Sequence, residues 1–84
     1  MLRGHNSDVQ VKGKTYHVQT KDWGVENPFL VSRVYCNGAV VRTLKVSHLE
    51  ATQGLSVNYA EALRQALHRQ HVQVVDSLIA GMIP

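Results

Sequence analysis

The sequence predicts an α+β domain in which a four-stranded antiparallel sheet, built from two hairpins, precedes a C-terminal helix packed on one face. Asn37-Gly38 lies between two runs rich in Val, Leu and aromatic residues, 29–36 and 39–46. Asn-Gly at such a place indicates a type I′ turn, because both central residues need positive φ. Lys12-Gly13-Lys14 similarly divides the alternating apolar and polar residues of 8–22. Strands followed by a helical pattern are typical of the α+β class.

The helical pattern begins after residue 46. Ser47-His48-Leu49-Glu50 matches a capping box, Gly54 suits the end of a short turn, and Asn58 suits the start of a longer helix ending near Gly81. That helix, over about 58–80, would be roughly 34 Å long, whereas four strands span about 15–20 Å. We therefore expect it to kink near 68–72 or to overhang the sheet and offer a dimer contact. Its apolar stripe is Tyr59, Leu63, Ala66, Leu67, Val74, Leu78 and Met82.

Length and composition indicate one small domain over 1–84, with 1–7 flexible or a leader into the first strand because that segment lacks periodicity. A single cysteine excludes an internal disulfide. The net charge of +3 is scattered and forms no basic block. Neither an apolar leader nor a stretch approaching the roughly 18 apolar residues of a membrane span is present. These features favour a cytoplasmic protein without membrane contact.

The second hairpin also predicts an arginine pair. If the turn sets Cys36 opposite Ala39, the same count sets Arg33 opposite Arg42. Like charges directly opposite each other destabilise a sheet, so this pair would need an acidic neighbour or an anionic partner. Alternatively, each arginine pairs with Glu61 or Asp76 of the helix, or extends into solvent. The apolar residues expected around the pair are Phe29, Val31, Tyr35, Val40, Leu44 and Val46.

A second apolar face is expected on the same hairpin. Because one helix can cover only one side of the sheet, the remaining side predicts a partner or self-association. Trp23, in a glycine-flanked loop, either anchors such a partner or folds back over the sheet core. The predicted partner-binding residues are Arg33, Arg42, Tyr35, Phe29 and Trp23, and the residues expected on the other face are Leu30, Val34, Cys36, Ala39 and Val41.

Three functional hypotheses follow. The first is a non-enzymatic protein–protein interaction or regulatory adaptor module, self-associating as a homodimer through the apolar face with Arg33 and Arg42. The second is a nucleic-acid-binding protein, ranked lower because no basic cluster and no aromatic stacking pair is evident. Its phosphate contacts would come from Lys12, Lys14, Arg33, Arg42 and Lys45. The third is an enzyme whose site is shared within an oligomer.

The residue types of catalysis and metal binding form no recognisable motif. His68 and His71 stand at i, i+3, which is a weak metal signal without a further ligand. His17 shares a strand face with Gln19 and Lys21, and Cys36 suits a small apolar position. We therefore predict no catalytic residue, no metal site and no cofactor.

The segment Tyr16-His17-Val18-Gln19-Thr20 resembles a strand of short bacterial proteins for which no activity is established. In that group a Y/F-H-V-Q-T-E-D string precedes a G-x-x-N-P loop, a glycine-containing hairpin and a late helix with a Gln-His pair. Lys21 and Asn37 depart from the pattern, since the group has an acid and a glycine there. The resemblance implies a bacterial origin and the same fold, and it implies no catalytic residues. The other matching residues are Asp22, Gly24, Asn27, Pro28, Gly38, Gln70 and His71.

Overall fold

The computed structural model describes residues 4–81, which form one antiparallel sheet and two helices. The sheet has the order β1-β2-β3-β4, so each strand pairs with its chain neighbour, and the predicted α+β fold is confirmed. The elements are β1 (His5–Val11), β2 (Lys14–Asp22), β3 (Phe29–Cys36), β4 (Ala39–Ser47), α1 (His48–Ala51) and α2 (Tyr59–Ile79).

The start of the sheet corrects one prediction. Residues 5–7 belong to β1, so the expectation of flexibility is wrong for them, because each pairs with a residue of β2. The same expectation for 1–3, and the place of Met82 on the helix, lie outside the described residues. Both predicted tight turns are present, with φ of 51° and 80° at Lys12 and Gly13 and of 53° and 79° at Asn37 and Gly38.

A β-bulge changes the register of the second hairpin. Cys36 pairs with Ala39 and Tyr35 with Val40, as predicted, but the register then shifts and Val34 pairs with Arg42. An extra residue in one strand moves every later side chain to the opposite face. Here the shift places Leu44 and Val46 opposite Ser32 and Leu30, on the side that carries the core. The predicted grouping of Leu44 and Val46 with Phe29 is therefore wrong.

The helices begin where their caps predict. The Ser47 hydroxyl accepts a hydrogen bond from the Glu50 N–H at 3.1 Å, and the Asn58 side chain accepts one from the Glu61 N–H at 2.9 Å. The long helix α2 runs unbroken from Tyr59 to Ile79, and its buried side chains extend from Ala62 to Leu78. The expected apolar overhang is wrong, because α2 buries side chains over nearly its full length.

The core between α2 and the sheet consists of two apolar clusters with a row of polar side chains between them. The polar row contains Thr20, Ser32, Gln70 and His71, all buried. One cluster contains Val9, Tyr16, Val18, Val34, Val74 and Leu78, and the other contains Leu30, Leu63, Ala66 and Leu67. Within residues 4–81, no helix has the length and apolar character needed to cross a bilayer.

Candidate functional sites

The sheet side opposite α2, here called the open face, carries three of the predicted partner-binding side chains. The register across the four strands places Phe29, Arg33 and Tyr35 on this side, together with Val31 and Lys45. Neighbouring strands add Asn6, Asp8, Gln10, His17, Gln19, Lys21, Val40 and Thr43. The helix elements contact the other side, so this face is a surface available to a partner.

Arg33 and Arg42 do not form a pair. Because of the bulge, Arg33 lies opposite Thr43 on the open face, whereas Arg42 lies opposite Val34 on the side facing α2. Arg42 is exposed there, at the sheet edge. Among residues 4–81 neither arginine forms an ion pair with Glu61 or Asp76. The predicted arginine pair is therefore wrong, and Arg42 is removed from the open-face site.

Trp23 lies over the open face, and two cationic side chains contact its ring. The Arg33 guanidinium carbon is 5.5 Å from the centre of the Trp23 ring, and the Lys45 ammonium is 5.4 Å from it. The same ammonium is 4.2 Å from the centre of the Phe29 ring. These are cation–π distances. Trp23 is 36% exposed while Val31 beneath it is only 3% exposed, so the tryptophan covers apolar sheet and still presents surface to solvent.

The residues predicted to bind nucleic acid do not share one surface. Lys12 and Lys14 lie at the β1–β2 turn, whereas Lys45 pairs with Val31 toward the other end of the sheet. Arg42 is on the opposite side from Arg33, as described above. Only Arg33 and Lys45 remain together, and Lys21 joins them through its pairing with Val31. The open face thus has three cations at the end where Trp23 lies.

A buried histidine, His71, occupies the polar row of the core. Its Nε2 lies 2.7 Å from the Ser7 hydroxyl and its Nδ1 lies 2.8 Å from the Thr20 hydroxyl. The Thr20 hydroxyl is also 2.8 Å from that of Ser32, which in turn accepts a hydrogen bond from the Gln70 amide at 3.0 Å. These side-chain contacts connect α2 to three strands, β1, β2 and β3. The sequence had suggested only a weak metal signal at this histidine.

We expect His71 to make the domain less stable in acid. Burial lowers its pKa from the ordinary value of 6.5, and positive charge on His5, His68 and His17 lowers it further. Between this lowered pKa and about pH 6.5 the unfolded chain therefore binds more protons than the folded domain, so stability falls as the pH drops from about 6.5 toward the lowered pKa. Urea midpoints measured from about pH 8 to about pH 5 should decline. His71→Gln should flatten that decline, and an unchanged slope in this variant would assign it to other groups.

A second missed arrangement joins the end of β2 to both helices. His48 Nε2 lies 2.7 Å from an Asp22 carboxylate oxygen, and both side chains are about 95% buried. The same oxygen accepts a hydrogen bond from the Gly24 N–H at 2.9 Å. His48 Nδ1 lies 3.1 Å from the Tyr59 hydroxyl. A carboxylate, an imidazole and a phenol are thus connected in series, and we call this group the Asp-His-Tyr relay.

A cavity of about 370 Å³ adjoins the Asp-His-Tyr relay. This volume is within the range of small-ligand pockets, which is roughly 300–1,000 Å³. Apart from the relay, its lining is Gly24, Val25, Ala60 and Leu63, so most of the wall is apolar. Tyr59 is 57% exposed, whereas Asp22 and His48 are buried, so Tyr59 is the accessible member of the relay.

The remaining candidates are an exposed Asp–His pair and a free thiol. His17 Nδ1 lies 2.8 Å from an Asp8 carboxylate oxygen in an exposed pair. Cys36 is a free, half-buried thiol. Across residues 4–81, no group of three or more His, Cys, Asp or Glu side chains is arranged to hold a metal ion.

Comparison of the chain with known protein families, with curated proteins and with solved structures finds no match.

Proposed function

We propose that this protein is a non-enzymatic protein–protein interaction module that binds an acidic segment of its partner on the open face. The grouping of Trp23, Arg33 and Lys45 carries the proposal. Tryptophan, tyrosine and arginine are the residue types that dominate interface binding energy. In keeping with the bacterial resemblance, we propose a regulatory adaptor of the bacterial cytoplasm.

The charge on the open face supports an acidic partner. Lys21, Arg33 and Lys45 lie near Trp23, and the acid of this face, Asp8, is on β1 beside His17. Complementary charge steers association and fixes the orientation of a partner. A second copy that apposed the same end of its own open face would bring like charges together. Homodimerisation, the other form of the proposal, would therefore need an offset arrangement of the two copies.

The chain offers a matched test of this surface. Arg33→Ala removes a cation from the open face, and Arg42→Ala removes the same charge from the opposite side. Wild type and both variants are used to capture proteins from nuclease-treated bacterial lysate, with mass spectrometry for identification. We expect one acidic protein to be retained by wild type and Arg42→Ala, and weakened by about 10-fold or more in Arg33→Ala. Equal retention by both variants would refute the open face as the binding surface.

Self-association is measured with the same variants. Sedimentation at high protein concentration distinguishes a monomer from a dimer. A dimer that persists in Arg42→Ala and dissociates in Arg33→Ala would make a second copy the occupant of the open face. A monomer throughout, with an acidic protein captured, supports the adaptor form.

Single-stranded nucleic acid is the second candidate ligand, and one observation favours it. Aromatic rings combined with cations on an exposed antiparallel sheet are the means by which several modules stack and neutralise single strands. A fluorescent oligonucleotide titrated at about 50 and about 200 mM salt tests this, because phosphate contacts give a steep salt dependence. Binding that is lost with Trp23→Ala and weakened by salt would replace the protein partner with nucleic acid.

A further inference from the structure

The Asp-His-Tyr relay has the order of groups needed to activate a hydroxyl. An ionised Asp22 can only accept a hydrogen bond, so the His48 proton lies on Nε2 and donates to the carboxylate. The Nδ1 lone pair of a neutral His48 is then left to accept from the Tyr59 hydroxyl. Their separation of 3.1 Å is within the reach of a general base, which is about 2.6–3.2 Å.

The adjoining cavity provides space for an electrophile at the Tyr59 hydroxyl. Val25, Ala60 and Leu63 give it an apolar wall, and within residues 4–81 no Lys or Arg lines it. This lining suits the uncharged, apolar acyl group of a small ester. The open face used for the proposed partner lies on the other side of the sheet, so the two proposals fail or succeed separately.

We propose that Asp22, His48 and Tyr59 make the Tyr59 hydroxyl a nucleophile toward small apolar acyl esters that enter this cavity. The phenol oxygen attacks the ester carbonyl while its proton passes to His48 Nδ1. The bond between the carbonyl carbon and the leaving oxygen then breaks, and the leaving alkoxide or phenoxide takes the proton from His48. The product is an O-acyl ester on Tyr59 and a free alcohol or phenol. Asp22 acts as a positioning residue that fixes the His48 tautomer.

Tyr35 provides an internal reference against which the reactivity of Tyr59 can be compared. Asp8, His17 and Tyr35 repeat the same three residue types on the open face, and His17 pairs with Asp8 at 2.8 Å. However, the rings of His17 and Tyr35 contact each other with their centres 6.1 Å apart, and no hydrogen bond joins His17 to the Tyr35 hydroxyl. Tyr35 is therefore a half-buried tyrosine beside a histidine ring, and among the described residues no histidine accepts a hydrogen bond from its hydroxyl.

The experiment uses p-nitrophenyl butyrate as the acyl donor and the full chain as the protein. Samples are quenched in acid at short times, digested, and analysed by mass spectrometry for acylation at each tyrosine. Because a positioned general base contributes about 100-fold or more to proton transfer, we expect Tyr59 to react at least about 10-fold faster than Tyr35. Phenylmethanesulfonyl fluoride, which forms a sulfonate ester and releases fluoride, provides a second probe whose product resists hydrolysis.

Two variants test whether fast acylation depends on His48 and occurs at the Tyr59 hydroxyl. His48→Gln should bring the Tyr59 rate down to that of Tyr35, while the Tyr35 rate in the same molecule reports that the fold is retained. Tyr59→Phe should abolish the fast label and leave Tyr35 unchanged. Equal rates at Tyr59 and Tyr35 in wild type with both probes would overturn the proposal, even if His48→Gln failed to fold. A fast Tyr59 rate that His48→Gln left unchanged in folded protein would also overturn it.

Discussion

Replacement of Asp22 by alanine is expected to destabilise the domain by about 3 kcal/mol, because two hydrogen-bond donors lose their acceptor, at about 1–3 kcal/mol for each buried donor left unsatisfied. The change strips the acceptor from His48 Nε2 and from the Gly24 N–H together. Small domains have total stabilities of about 0.05–0.15 kcal/mol per residue, so this loss is a large share for 84 residues. Urea unfolding followed by Trp23 fluorescence measures it.

Asp8→Ala is the matched control for this change. It removes the same side chain from an Asp–His pair whose members are 73% and 43% exposed. Exposed pairs contribute about 0–1 kcal/mol, so the free energy of unfolding should hardly move. Similar losses in the two variants would mean that the Asp22–His48 contact has no special weight in the fold.

Thr20→Val is expected to cost about 1–3 kcal/mol, the usual penalty when buried polar groups lose their hydrogen-bond partner. Valine keeps the shape and the strand preference of threonine. The hydroxyl that it removes lies 2.8 Å from both Ser32 Oγ and His71 Nδ1, in the middle of the polar row. The free energy of unfolding at neutral pH, obtained from urea titrations, gives the size of the loss.

Thr43→Val makes the same chemical change at an exposed position of β4. Surface substitutions usually remain within about 0.5 kcal/mol, so this variant should unfold at nearly the wild-type midpoint. If Thr20→Val were equally mild, the polar row would be replaceable by apolar contacts and would not hold α2 in place.

Local signals made most of the fold predictable. Asn37-Gly38, Ser47 and Asn58 act within four residues of themselves, so the turn and the caps could be placed without tertiary information. The bulge in β4 could not be predicted in this way, because no local signal in the sequence marks it. With a regular register Leu44 and Val46 would face Val31 and Phe29, and with the bulge they face Ser32 and Leu30. The sequence of β4 is compatible with either register. The second register places Leu44 against the apolar cluster that includes Val74 and Leu78 of α2.

The candidate sites were predictable in part. Phe29, Arg33 and Tyr35 were correctly placed on one face, because the error in register affected only the partner strand. The Asp-His-Tyr relay joins residues 26 and 11 positions apart, and no sequence motif links them. One signal was available. Asp22 continues the buried alternation of Tyr16, Val18 and Thr20, and an acid at a core position requires a partner.

The bulge in β4 also bears on how this protein avoids uncontrolled assembly. A regular edge strand offers a row of unpaired backbone groups on which a strand of another molecule can add, and repeated addition leads to fibrils. β4 is such an edge, nine residues long and largely exposed. The bulge interrupts its backbone spacing between Val40 and Arg42, and Arg42 and Lys45 add charge along it. Extended strand addition along this edge is thereby disfavoured.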